Sequence, residues 1–207
     1  MRLKGWDLTI DRGGRRIIAG LSFEAAAGLG LIVTGPNGAG KTSLLRALAG
    51  FLPVEAGGLA LDGGDGERTV GEQAHYLGHA DGVKAALTAG ENLAFAAAML
   101  GGDSSRPAQL AALAALGLSH VIDFPARLLS AGQRRRVALA RLLVAKRPLW
   151  LLDEPATALD VAAQAALAAI MQEHLKGGGI LVAAVHAPLG LDGAQELRLG
   201  AIERADA

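Results

Sequence analysis

The chain contains no cysteine, which rules out disulfides, thiolate metal sites and thiol redox chemistry, and leaves the compartment open. Aromatic residues are only 3% of it while hydrophobic residues are 51%, so aliphatic side chains must build the core. Net charge is missing too: Lys plus Arg and Asp plus Glu both number 20. Nothing in that balance asks for nucleic acid as a partner. No apolar run is long enough to cross a bilayer, and Leu93 to Leu100 falls well short. Met1 to Ile10 alternates and carries charge, which is not the pattern of a signal peptide. What is present is an Ala-, Leu- and Gly-rich chain of 207 residues, enough for one large domain or for one domain with a subdomain.

The most informative stretch is Gly35-Pro36-Asn37-Gly38-Ala39-Gly40-Lys41-Thr42, which fits the phosphate-binding loop pattern G-x-x-x-x-G-K-[ST]. The apolar run Leu29 to Thr34 before it reads as a buried strand. Leu44, Leu45 and Leu48 after it have helical spacing. The loop therefore sits between strand and helix, the context its chemistry needs. Glycines let the backbone aim its N–H groups at a phosphate chain, and the helix N-terminus adds partial positive charge. Lys41 is expected to reach the β- and γ-phosphates, and the Thr42 hydroxyl to ligate Mg²⁺.

The rest of the chain alternates strands with helices. Leu3 to Ile10 and Ile17 to Phe23 read as strands around an Asp11-Arg12-Gly13-Gly14 turn. Leu59 to Leu61 and Ala74 to Leu77 are shorter strands. Helices follow: Asn92 to Leu100 behind a Thr88/Glu91 capping box, and Ala108 to Leu116 between Pro107 and Gly117. Ser130 and Gln133 repeat the capping-box spacing, and open a helix reaching Lys146. Arg134-Arg135-Arg136 on it reads as a solvated face. Leu149 to Leu152 is a buried strand. Asp160 caps a helix with Val161, Ala165, Ala168, Met171 and Leu175 on one stripe. Ile180 to Val185 and Glu196 to Leu199 close the series. The pattern predicts an α/β fold with a largely parallel sheet, antiparallel strands at the N-terminus and an inserted α-helical subdomain. The expected core covers about residues 1–79 and 148–207, and the insertion about 80–147.

Asp153 and Glu154 follow the Leu149 to Leu152 run, at the carboxyl end of a buried strand, where open α/β sheets hold ligands. Asp153 is placed to hold Mg²⁺ through water, and Glu154 to polarise an attacking water. More than a hundred residues separate Lys41 from Asp153, and no Asn-Lys-x-Asp guanine reader is present. That spacing points away from small GTPases.

Leu129-Ser130-Ala131-Gly132-Gln133 lies about twenty residues before the acidic pair. Here the chain resembles the ATP-binding subunits of ABC transporters, whose signature is Leu-Ser-Gly-Gly-Gln. Thr157-Ala158-Leu159-Asp160 is similar to the family's D-loop and His186 to its switch histidine. The resemblance covers nearly the whole chain. It implies ATP and Mg²⁺ as ligands, with Gly35 to Thr42, Ser43, Ser130, Gly132 and Gln133 binding nucleotide. It further implies catalysis by Lys41, Glu154 and His186, with Thr42 and Asp153 on the metal. A head-to-tail homodimer sandwiching two ATP molecules is implied as well, with integral membrane permease subunits as partners. Within the family, Tyr76-Leu77-Gly78-His79, Glu91-Asn92-Leu93 and His186-Ala187-Pro188-Leu189 resemble the ATP-binding subunits of haem exporters in cytochrome c maturation. That group implies a peripheral place on the cytoplasmic face of a bacterial inner membrane. The surface from Gly82 to Ala98, with Val83, Leu87, Leu93 and Phe95, is the expected docking face for the membrane partner, the alternative being that some of these side chains fill the subdomain core. Other readings are the ATPase of another small-molecule transporter, a soluble ABC ATPase of DNA repair or translation, or a non-hydrolysing regulatory module. Two positions depart from the family. Asp11-Arg12 stand where an aromatic stacks on adenine, and Ala80 stands where a glutamine is usual.

Overall fold

The computed structural model describes residues 1–185, 189–191 and 193–200, which fall into two compact units. The first unit comprises Met1–Gly78, Pro148–Glu154 and the described residues from Glu173 onward. It contains two sheets. In the smaller, β1 (Arg2–Arg12) pairs antiparallel with β2 (Arg15–Ala26) on one side and with β4 (Ala56–Asp62) on the other. The β1–β2 turn is the pair Gly13 and Gly14 at φ 60° and 75°, a mirror-image turn whose twist suits a hairpin. β4 is longer than the three residues its sequence suggests, because pairing with β1 extends it through Ala56 to Gly58.

The larger sheet is wholly parallel, in the order β5 (Ala74–Leu77), β6 (Leu149–Asp153), β7 (Ile180–Ala184), β3 (Gly30–Thr34), β8 (Gln195–Arg198). Every residue of β6 and β7 is buried, as the continuous apolar runs require of central parallel strands. β3 runs into the phosphate-binding loop, and α1 (Lys41–Leu48) leaves it. The core joins Leu3, Leu8 and Ile10 with Leu44, Leu45 and Leu48, and with Leu149, Leu151, Ile180 and Val182. Among the described residues, Phe23 is the one aromatic in the buried cluster, so the core is aliphatic, as the composition demands.

The second unit comprises His79–Arg147 and Pro155–Gln172. α2 (Ala89–Leu100) begins at a complete capping box of Thr88 and Glu91. α3 (Arg106–Ala114) has Ser105 as its cap and Pro107 in its first turn. α4 (Ala131–Val144) starts at Ser130 and packs with α2 and α3. α5 (Val161–Lys176), which lies in this unit as far as Gln172, is capped by Asp160, whose Oδ1 accepts the Ala163 N–H at 2.8 Å. Buried Asn92 pins the approach to α2: its Oδ1 accepts the Lys84 N–H at 2.8 Å, and its amide donates to the Thr88 carbonyl at 2.9 Å.

Three sequence expectations change. The buried stripe of α5 is Ala163, Leu167, Met171 and Leu175, whereas Val161 is 84% exposed. In an alanine-rich helix every face is mildly apolar, so spacing alone does not pick the buried one. The arginine triplet is not a solvated face. Arg134 donates to the Leu129 carbonyl and Arg136 to the Leu116 carbonyl, while Arg135 is buried in an ion pair with Asp81. Leu93 is fully buried and belongs to the packing of its unit, not to a docking face. No helix among the described residues is long and apolar enough to cross a membrane.

Candidate functional site

The phosphate-binding loop keeps its shape through glycines that no other residue could replace. Gly35 sits at φ 140°, and a methyl group there would lie 2.5 Å from the Leu199 carbonyl oxygen. Gly40 caps α1 in the left-handed region at φ 98°, with Ile17 close against it. No side chain caps the N-terminus of α1 and no acid stands in its first turn, which suits an anionic ligand. Lys41 is the first residue of α1. Its ammonium is buried in the loop, donating to the Gly35 carbonyl at 2.7 Å and the Pro36 carbonyl at 3.2 Å. Pro36, Asn37 and Gly38 are exposed, while Ala39 and Ser43 are buried beneath them.

Sheet order brings the acidic pair to this loop. β6 ends at Asp153, whose Oδ2 accepts a hydrogen bond from the Thr42 hydroxyl at 2.8 Å, across a separation of 111 residues. Asp153 is 3% exposed. The hydroxyl and carboxylate are hard oxygens, the donor type Mg²⁺ takes when phosphates supply further ligands. Glu154 follows in the left-handed region at φ 48°, uncommon for a residue with a side chain, and its N–H donates to the Ala184 carbonyl at 2.9 Å. Strained backbone of this kind clusters at functional sites. Tyr76, half-buried on β5 and edge-on to Phe51, has its hydroxyl pKa raised, first by burial and then by the negative charge of Asp153. Only the pairing of β5 with β6 places Tyr76 within reach of that charge.

The second unit carries the remaining motif. Ser130 Oγ accepts the Gln133 N–H at 3.2 Å, and Gln133 Oε1 accepts the Ser130 N–H at 2.9 Å. Ser130 is exposed, and a methyl group on Gly132 would lie 2.9 Å from the Ala158 carbonyl oxygen. Ala158 itself is left-handed at φ 64°, within the Thr157 to Asp160 turn. His186, the expected switch histidine, lies outside the described residues. Ala80 is exposed, and neighbouring Asp81 is bound to Arg135. Arg12 is exposed beside an Asp11–Arg16 ion pair.

Residues 18–157 match the ABC transporter family. The cytochrome c biogenesis ATP-binding export protein CcmA of Nitrobacter winogradskyi is 58% identical over 200 residues, covering 97% of this chain and 98% of that protein. A putative ABC transporter ATP-binding protein from Pyrococcus furiosus shares the fold, with TM-score 0.84 at 22% identity over 96% of this chain and 98% of that one. A bacterial Atm1-family ABC exporter with ATP bound gives TM-score 0.81 at 25% identity, over 96% of this chain and 36% of that one. The motifs, their order along the sequence and this full-length likeness agree: the chain belongs to the ABC transporter family, in the group of CcmA-type ATP-binding export proteins.

Proposed function

We propose that the chain is the ATP-hydrolysing subunit of the haem exporter in cytochrome c biogenesis, where it drives integral membrane partners from the cytoplasmic face of the inner membrane. The observation that carries the ATP-hydrolysing part of the reading is the 2.8 Å bond between Thr42, in the phosphate-binding loop, and Asp153, at the end of β6, while the exporter part rests on the full-length likeness to CcmA. It joins a phosphate cradle to the carboxylates that phosphoryl transfer needs. Lys41 and the backbone N–H groups between Gly35 and Ser43, Pro36 excepted because it has none, hold the phosphate chain and neutralise its charge. Thr42 and Asp153 would hold Mg²⁺, which when bound supplies positive charge to the phosphate oxygens. Glu154 accepts a proton from the attacking water. In a head-to-tail homodimer, Ser130, Gly132 and Gln133 of one copy face the γ-phosphate held by the other, and His186 completes the site. ATP bound to the Atm1-family exporter, which shares this fold, supports the ligand assignment.

The exposed apolar side chains of the second unit, Phe95, Met99, Phe124 and Leu128, offer a contact surface to the membrane partner. Solubilised membrane subunits that co-purify with this chain would support the assignment, and partners of an unrelated transporter would redirect it. For the chemistry, Lys41→Ala is expected to weaken ATP binding by removing a phosphate contact. Glu154→Gln is expected to keep binding and lower kcat by about a hundredfold or more, because the base is gone. Equal loss of ATP affinity in both variants would contradict these roles.

A further inference from the structure

Just beyond β5, the Asp81 carboxylate accepts a hydrogen bond from Arg135 Nη1 at 3.1 Å. The Arg135 side chain is 4% exposed and the Asp81 side chain 27%. A charge held that deep in a protein is tolerated only when paired and hydrogen-bonded. The same guanidinium donates through Nε to the Pro155 carbonyl at 3.3 Å, and Pro155 is the residue next to Glu154. Farther along α4, Arg141 donates to the backbone carbonyls of Asp81 at 2.7 Å and Gly82 at 3.3 Å. Gly82 is left-handed at φ 62°, and a methyl group there would lie 3.1 Å from Arg141 Nη1. The segment after β5 is therefore fastened to α4 by two arginines, one through its charge and one through its backbone. Ser130 caps the N-terminus of that same helix.

We propose that Asp81 and Arg135 are a positioning pair for ATP hydrolysis. One guanidinium fixes both the segment after β5 and the turn after Glu154 to the helix that presents Ser130. When α4 shifts, both follow it, so the turn beside the general base is set by the helix that carries the signature motif. Neither residue acts on ATP directly. Arg135 reaches the residue that follows the general base, so the pair is expected to govern turnover and to leave nucleotide affinity nearly untouched. The inference rests on the ATPase reading above.

Because the chain has no cysteine, Ala80→Cys gives a single attachment point for a nitroxide label next to the pair. In the full-length labelled chain, Asp81→Asn is expected to make the label more mobile and to lower kcat about tenfold, with KM for ATP changed less than about threefold. Asp81→Glu, which restores the charge, should recover most of both. An immobile label with unchanged kcat in Asp81→Asn would overturn the proposal, as would a rise in KM that matches the fall in rate. So would an Asp81→Glu variant no better than Asp81→Asn. Should Asp81→Asn lose its cooperative thermal transition, Arg135→Lys decides the matter: it keeps a cation for Asp81 but loses the fork that reaches Pro155. A label as immobile as in the parent with a lowered kcat supports the pair, and a mobile label or an unchanged kcat rejects it. If the parent itself hydrolyses no ATP, the ATPase reading has failed, while label mobility without nucleotide still tests the contact.

Discussion

His174 lies flat on Trp150, with ring centroids 4.0 Å apart and 9° between planes, and its Nε2 sits 3.1 Å from the Ile180 carbonyl oxygen. Gly179 makes this possible, since a methyl group there would run into the imidazole ring. Burial lowers the His174 pKa below its ordinary 6.5, against smaller upward pulls from the carbonyls of Ile180 and Pro148. The folded state thus binds this proton less readily than the unfolded chain. Its contribution to stability is present above about pH 6.5 and is lost as pH falls toward the depressed folded value. The melting temperature is expected to fall in that acidic window, and His174→Phe should flatten the fall while keeping the stack. Trp150 reports the event directly. In a Trp6→Phe background it is the one tryptophan left, and its emission should be quenched as the stacked imidazole takes up a proton. An emission unchanged through the acidic window would show that His174 stays neutral.

Among the elements, α2 and α4 begin with the same device and differ in what surrounds it. Thr88 Oγ1 accepts the Glu91 N–H at 3.1 Å and Glu91 Oε2 accepts the Thr88 N–H at 2.7 Å, a reciprocal pair that Ser130 and Gln133 repeat on α4. Removing the capping hydroxyl costs about 1 kcal/mol at either place. Thr88→Ala and Ser130→Ala should each lower the melting temperature by about 2–4 °C for a chain of this size. Only Ser130→Ala should also reduce ATP turnover, because only Ser130 faces nucleotide in the proposed dimer. Matched losses of activity in both variants would reduce Ser130 to a helix cap. These starts were legible in the sequence because a cap acts over three residues and needs no distant partner. The helix ends were less so. α3 stops at Ala114 and α4 at Val144, each short of the apolar pattern that continues beyond it.

At the scale of the molecule, the phosphate-binding loop and the signature motif belong to different compact units, and the proposed site takes one from each of two copies. ATP is therefore expected to dimerise the chain, most clearly in Glu154→Gln, where turnover is blocked and the sandwich accumulates. Ser130→Arg should prevent it by crowding the γ-phosphate contact. Light scattering gives the test: the same mass with and without ATP in Glu154→Gln would count against the sandwich.

The sequence by itself determined the family, the phosphate-binding loop, the acidic pair, the two capping boxes and the α/β alternation. All of these are written in short-range spacing, where a strand period, a helix period or a run of glycines acts on its own neighbours. Tertiary structure decided the rest. The order β5-β6-β7-β3-β8 set Asp153 against Thr42 and Tyr76 within reach of Asp153. Packing chose Ala163, Leu167, Met171 and Leu175 as the buried side of α5, since alanine on every face left the choice to whichever neighbour covered it. Nor does any local rule pair Asp81 with Arg135. Their 54-residue separation closes only when α4 packs beside the segment that carries Asp81 within the same unit, and burial then turns one arginine of an apparently solvated run into a buried structural charge.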